Sequence, residues 1–104
     1  MVVLTYKTIR AFLETNQYNE TVTDAFKAWY KAMEKGDFAN LNQLKATFPT
    51  VDYVGNQRYV FDIMGNHYRI VAAIHFKVRT VYILFLGTRK EYNKIDAQNI
   101  NFKK

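Results

Sequence analysis

The sequence predicts an α+β fold, with helices in the first half of the chain and strands in the second. Up to Pro49 the apolar residues recur at the helical period of 3.6, and beyond it they alternate at the period of two that marks a strand. The chain has 104 residues, no cysteine, no repeat and no linker-like tract, so residues 1–104 are expected to form a single domain around one core.

Taken in order, Met1–Leu4 reads either as a short strand or simply as an apolar start. A first helix is expected from about Thr5 to Thr15, burying Ile9, Phe12 and Leu13. In the second, Val22, Ala25, Phe26, Trp29, Tyr30 and Met33 form one continuous stripe at helical spacing. Thr21 or Thr23 is placed to cap its start, and Gly36 suits a left-handed position just past its end. A third, short helix begins near Asn40, turns Leu41, Leu44 and Phe48 inward, and stops before Pro49.

Strands are expected over Arg58–Met64, Tyr68–Phe76 and Thr80–Leu86, which are rich in Val, Ile, Tyr and Phe. Gly65-Asn66 between the first two suits a type II′ hairpin turn, which sets Met64 opposite His67 and Asp62 opposite Arg69. Tyr59, Phe61, Ile63, Tyr68, Ile70, Ala72, Ile74 and Phe76 then share one apolar face, which must take the helices. The other face carries Arg58, Asp62, His67, Arg69 and His75, and reads as open, basic and tyrosine-bearing. Val81, Ile83 and Phe85 fit the core face of the third strand, with Tyr82 on the polar side. A last short helix, from about Thr88 to Ile95, starts at the edge of the open face. The expected architecture is an antiparallel sheet with N-terminal helices on one face and a short C-terminal helix.

Charge is divided unevenly. Residues 1–57 balance six Lys/Arg against six acids, so the whole formal excess of +6 lies in residues 58–104. Such asymmetry fits a polyanionic partner, nucleic acid first, or a merely basic surface. No apolar run approaches the ~18 residues a membrane helix needs, and the N-terminus lacks a signal-peptide pattern. No membrane association and a cytoplasmic location are expected.

A nuclease that works without a metal must deprotonate the attacking 2′-hydroxyl, neutralise the phosphorane and stabilise the leaving 5′-oxygen. The planar fork of arginine serves the second need. Arg69, mid-strand on the non-core face, is the best-placed candidate, beside Arg58 and Arg89; it reads equally as the ion-pair partner of Asp62. Tyr92 is placed either to stack on a base or to pack. Lys90 and Lys94, four residues apart on one helical face, are candidate phosphate contacts or ordinary solvated lysines. His67, beside the turn, is a candidate RNA contact or a surface histidine, and lies too far from His75 for both to attend one phosphate. The two make no metal site, and no cofactor is implied.

These residues resemble the HigB-type toxins of bacterial type II toxin–antitoxin modules, within the RelE superfamily. The resemblance runs from about Trp29 to Ile95. It is carried by the segment FDIMGNHYRIVA, by the further strand, and by GTRKEYNKI with its Thr88-x-x-Glu91-Tyr92. It implies a RelE-like small domain and an mRNA interferase, a metal-independent endoribonuclease that inhibits translation by cutting messages on the ribosome. It also implies a helix-turn-helix antitoxin of HigA type as partner, besides mRNA and the ribosome. By position, Arg69, Arg89 and Tyr92 would be the catalytic residues, with Arg58, Lys90, Lys94 and His67 contacting RNA. One departure bears on chemistry: the family pattern T-H-x-E-Y-D has histidine where this chain has Arg89, and aspartate where it has Asn93. Reduced cleavage is therefore expected. A catalytically weak inhibitor that binds RNA or the ribosome is the alternative, as is an antitoxin-binding regulatory module.

Overall fold

The computed structural model describes residues 1–4, 6–16 and 20–100. The described elements run β1 (Val2–Leu4), α1 (Tyr6–Asn16), α2 (Glu20–Lys35), α3 (Leu41–Thr47), β2 (Asp52–Gly55), β3 (Arg58–Ile63), β4 (Tyr68–His75), β5 (Thr80–Thr88) and α4 (Arg89–Tyr92), with a 3-10 turn at Phe76–Val78. The strands form one sheet in the order β1-β5-β4-β3-β2. Strands β2 to β5 are the expected antiparallel meander, whereas β1 adds to β5 in parallel, so the sheet is mixed. No described helix is long and apolar enough to cross a membrane.

The helical half follows the apolar pattern. Val22, Phe26, Trp29 and Met33 of α2 are buried, as are Ile9 of α1 and Leu44 of α3. Aromatic rings meet edge-on beneath them: Phe61 lies 5.2 Å from both Trp29 and Phe48 between centroids. Asn40 caps α3, its side chain accepting from Gln43 N–H at 3.0 Å.

Two end signals are corrected. Helix α2 begins at Glu20, so Thr21 and Thr23 lie within it and neither is its cap. Gly36 does not adopt a left-handed backbone, and its N–H continues the helical pattern to the Ala32 carbonyl at 3.0 Å. Space explains the residue instead: a Cβ at position 36 would stand 2.3 Å from the buried Phe38 ring. The Thr5 start expected for the first helix lies outside the described residues.

The hairpin register is as expected, with Asp62 paired to Arg69 and Ile63 to Tyr68. The loop is longer than expected: pairing stops at Ile63 and Tyr68, Met64 as well as Gly65 has a positive φ, 55° and 70°, and His67 meets Met64 only through its N–H on the Met64 carbonyl at 3.4 Å, outside the ladder. The apolar face, from Tyr59 to Phe76, packs under the helices as one core.

Three features of the sheet differ from expectation. Strand β2 has no counterpart among the expected strands; it pairs with β3 through a two-residue turn, Asn56-Gln57, whose φ values are both positive at 53° and 63°. Strand β5 carries a bulge: Val71 pairs with Phe85 but Ala72 with Ile83, leaving Leu84 as the extra residue. A one-residue insertion exchanges the faces beyond it. Phe85 therefore lies on the strap side and not on the helix side expected for it, where Leu86 takes its place.

Nor is the second face open. Val60 and Val71 are buried there against Ala97, with Val54, Phe85, Tyr92, Ile95 and Ile100 around them. The chain beyond α4, residues 93–100, forms a strap across that face. The C-terminal helix itself is shorter than expected, ending at Tyr92, and is followed by turns.

Candidate RNA-binding cleft

Beside the strap, the non-core face keeps a polar cleft of about 320 Å³ lined by Pro49, Thr50, Val51, Asp52, Val60, Asp62, Arg69 and Tyr92. Its position follows from local chemistry at the start of α4. Thr88 accepts from Glu91 N–H at 3.1 Å, and the Glu91 carboxylate accepts from Thr88 N–H at 2.9 Å. This reciprocal capping box satisfies two donors that a helix start leaves bare, and it explains the T-x-x-E spacing in physical terms. Gly87, paired with Arg69, makes room for it: a Cβ at position 87 would stand 2.8 Å from Phe85 and 3.1 Å from Glu91 Oε1. The helix can thus fold down over the sheet and deliver Tyr92 to Arg69.

There the Arg69 guanidinium carbon lies 4.7 Å from the centroid of the Tyr92 ring, a cation–π contact. Across the strand pair, Arg69 Nε is 3.3 Å from Asp62 Oδ1, with both side chains about three-quarters shielded at 22% and 28% exposure. This pair holds by charge and not by an aligned hydrogen bond, because Nε is buried and finds no acceptor in suitable geometry among the described residues. A guanidinium fixed on two sides and lining a polar cleft is suited to bind an oxyanion. The two readings of Arg69, ion pair and anion site, are therefore compatible. Tyr92 likewise does both: it meets the cation and packs against Phe85 with centroids 6.4 Å apart.

The other candidates separate into groups. Arg89 is exposed at the first position of α4, and its N–H donates to the His67 carbonyl at 3.0 Å, which sets these two residues side by side at the sheet end. Lys90 and Lys94 are exposed beyond them. His75 is at the far end of β4, its ring 5.6 Å from that of Tyr82. Arg58 stands apart from this cluster. Its Nε and Nη2 donate to the Ile100 carbonyl at 3.2 and 2.9 Å, and Nη1 donates to the Asn56 carbonyl at 2.8 Å. Asn56 reinforces the clamp by donating to the Gln98 carbonyl at 3.2 Å. In this position Arg58 fastens the strap.

Sequence reasoning quoted Glu91 and Gly87 only as parts of a motif, and gave no functional role to Asp52 or to the strap. The first two carried a signal in the T-x-x-E box and the glycine before it. Asp52 carried none that distinguishes it from a surface acid.

Comparison with known proteins follows the same boundaries. A model of the HigB toxin family, the RelE-like toxic component of a toxin-antitoxin system, matches residues 22–95. The mRNA interferase toxin HigB of Escherichia coli K12 is 39% identical over 66 residues, covering 61% of this chain and 62% of its own length. The mRNA interferase HigB of Shigella flexneri aligns to the same extent. That of Escherichia coli O6:H1 is 27% identical over 73 residues, 68% of this chain and 71% of its own. The alignment thus spans less than two-thirds of the length of the first of these relatives. The family match takes in α2 through the capped helix α4, and with them every residue of the cleft. The chain belongs to the HigB toxin family of RelE-like toxin–antitoxin components.

Proposed function

We propose that this protein is the toxin of a type II toxin–antitoxin pair, an endoribonuclease that cuts messenger RNA on the translating ribosome without a metal. One observation carries the reading: the Arg69 guanidinium is held by Asp62 and the Tyr92 ring in a polar cleft. The names of the relatives, mRNA interferases, support the substrate class. Arg69 would bind the non-bridging oxygens of the scissile phosphate and stabilise the phosphorane formed by 2′-hydroxyl attack. Tyr92 keeps the guanidinium in place and bounds the cleft. Arg89, beside His67, stabilises the charge growing on the leaving 5′-oxygen, while Lys90 and Lys94 contact flanking phosphates. In this arrangement Arg58 acts on RNA through the strap that it holds.

Arg89 stands where the family pattern has histidine, and an arginine does not give up a proton at neutral pH. Loss of a positioned proton-transfer group costs roughly 10²–10⁴ in rate, so cleavage slower than in histidine-bearing relatives is expected. The same residue favours a second reading, a toxin that occupies the ribosome and halts translation with little cutting. A helix-turn-helix antitoxin of HigA type and a cytoplasmic site of action belong to both readings.

Primer extension on a reporter message in a purified translation system, with and without ribosomes, tests them. Ribosome-dependent ends that fall at least about 100-fold with Arg69→Ala are expected. Halted translation on an intact message would establish the second reading. Full cleavage by a folded Arg69→Ala variant would show that the site lies elsewhere.

A further inference from the structure

The cleft holds a second carboxylate that phosphate binding does not use. Asp52 on β2 pairs with Val60, which puts it on the same sheet face as Asp62 and Arg69 and diagonally next to Asp62. Diagonal neighbours of this kind stand roughly 7–8 Å apart. Asp62 is committed to Arg69, whereas Asp52 has no ion-pair partner among the described residues. The rest of the cleft's lining is Pro49, Thr50, Val51, Val60, Arg69 and Tyr92.

An anionic side chain lining the same cleft as a phosphate site repels the backbone of RNA and gains from RNA only where it meets a hydrogen-bond donor, and the donors near a phosphate are the base edges and the 2′-hydroxyl. The Tyr92 ring and the Arg69 guanidinium line the cleft, and both tyrosine rings and guanidinium planes are groups on which single-stranded bases stack. A carboxylate also discriminates among bases. Guanine presents N1–H and N2–H side by side, one for each carboxylate oxygen. Adenine and cytosine offer one amino donor beside a ring-nitrogen lone pair, and uracil has one imino N–H between two carbonyls. With each of these three, the second oxygen of Asp52 would face a lone pair.

We propose that the cleft is a nucleobase pocket in which Asp52 reads the Watson–Crick edge of a guanine next to the phosphate held by Arg69. This rests on the reading of the cleft as an RNA site and assigns it a base preference. Asp52 is a specificity residue here, taking no part in the bond exchange at phosphorus.

The test is an NMR titration of the full chain with the 5′-monophosphates of guanosine, adenosine, cytidine and uridine, repeated with Asp52→Asn. Guanosine monophosphate is expected to bind roughly tenfold or more tightly than the other three, shifting the amides of Asp52, Asp62 and Tyr92. Asp52→Asn should bring the four within about twofold of one another while leaving the spectrum of β3–β5 in place. Inosine monophosphate, which lacks the N2 amine, should lose most of the preference with no change to the protein. Equal affinities, a guanine preference that survives Asp52→Asn, or shifts confined to another surface would overturn the proposal. A protein that selects guanine here but cuts no message would overturn the nuclease reading alone, and one that cuts messages but binds the four nucleotides alike would overturn only this one.

Discussion

On the helix side of the sheet, Phe26, Phe61, Ile70, Ile74 and Ile83 are each no more than 2% exposed, and rings from α1, α2, the end of α3 and two strands interlock. On the strap side the buried apolar residues among those described are small, Val60, Val71, Ala73 and Ala97, and a polar cleft opens next to them. The same strands supply both faces, so the difference lies in what covers them. Helices bring many large side chains and exclude water across a wide area. A strap of about one turn's width covers a few residues and leaves its margins wet, which is where charged groups can stay ionised without heavy desolvation. The thick side fixes the strands, and the thin side uses their fixed spacing to hold a cation, two carboxylates and a tyrosine.

Four substitutions would break or sharpen this contrast. The largest effect belongs to the thick side: Phe61→Ala should cost roughly 3–5 kcal/mol, since a large ring leaves a cavity that its aromatic neighbours cannot close. Denaturant unfolding followed by Trp29 fluorescence would measure it. Next, Arg58→Ala removes three donors from backbone carbonyls and should cost about 1–3 kcal/mol. Hydrogen exchange should rise over residues 93–100 while β3 and β4 stay protected, and Arg58→Lys should not restore the clamp, because a lysine lacks the fork. If β3 and β4 loosened equally, the two sides would be one cooperative unit.

A smaller, opposite effect is expected at the turn that bears the strap's anchor. Gln57 sits at φ 63°, a region costly for any residue with a Cβ, so Gln57→Gly should stabilise by up to about 1 kcal/mol in the same unfolding assay. The smallest effect appears only in alkali. Burial, and secondarily the nearness of Tyr53, raise the pKa of Tyr59 above its ordinary value of 10.0. Because the unfolded chain then loses the proton first, stability should be level below about pH 10 and fall as pH rises through the folded pKa. Tyr59→Phe should flatten that fall in stability-versus-pH curves, which would report how dry the thick side is.

What was legible in the sequence follows the range of the interactions. The stripe of α2 and the Gly65-Asn66 hairpin are local patterns, and together they fix the core face and place Asp62 opposite Arg69. Strand β2 escaped notice because Asp52 and Tyr53 are both exposed, so the alternation that marks a half-buried strand is missing. Gly55-Asn56 was a turn signal there, but the turn itself falls one residue later, at Asn56-Gln57. The strap depends on Arg58 reaching a carbonyl 42 residues away, and nothing in the sequence around either end declares it. The site divides in the same way. Arg69 could be placed by register, whereas the approach of Tyr92 needed the capping box and the small residue at Gly87, and Asp52 needed β2.

The bulge at Leu84 has a consequence for how such a protein can change. The ladder already sets Ile83 against Ala72 and Phe85 against Val71, so loss of Leu84 would only close it, keep every residue on its face and leave α4 and Tyr92 over Arg69. One codon can therefore be lost at this point with the scaffold and the cleft both in place. The strand carries a length it can spare, which buffers the cleft against a change that in a strand without a bulge would turn every following side chain over.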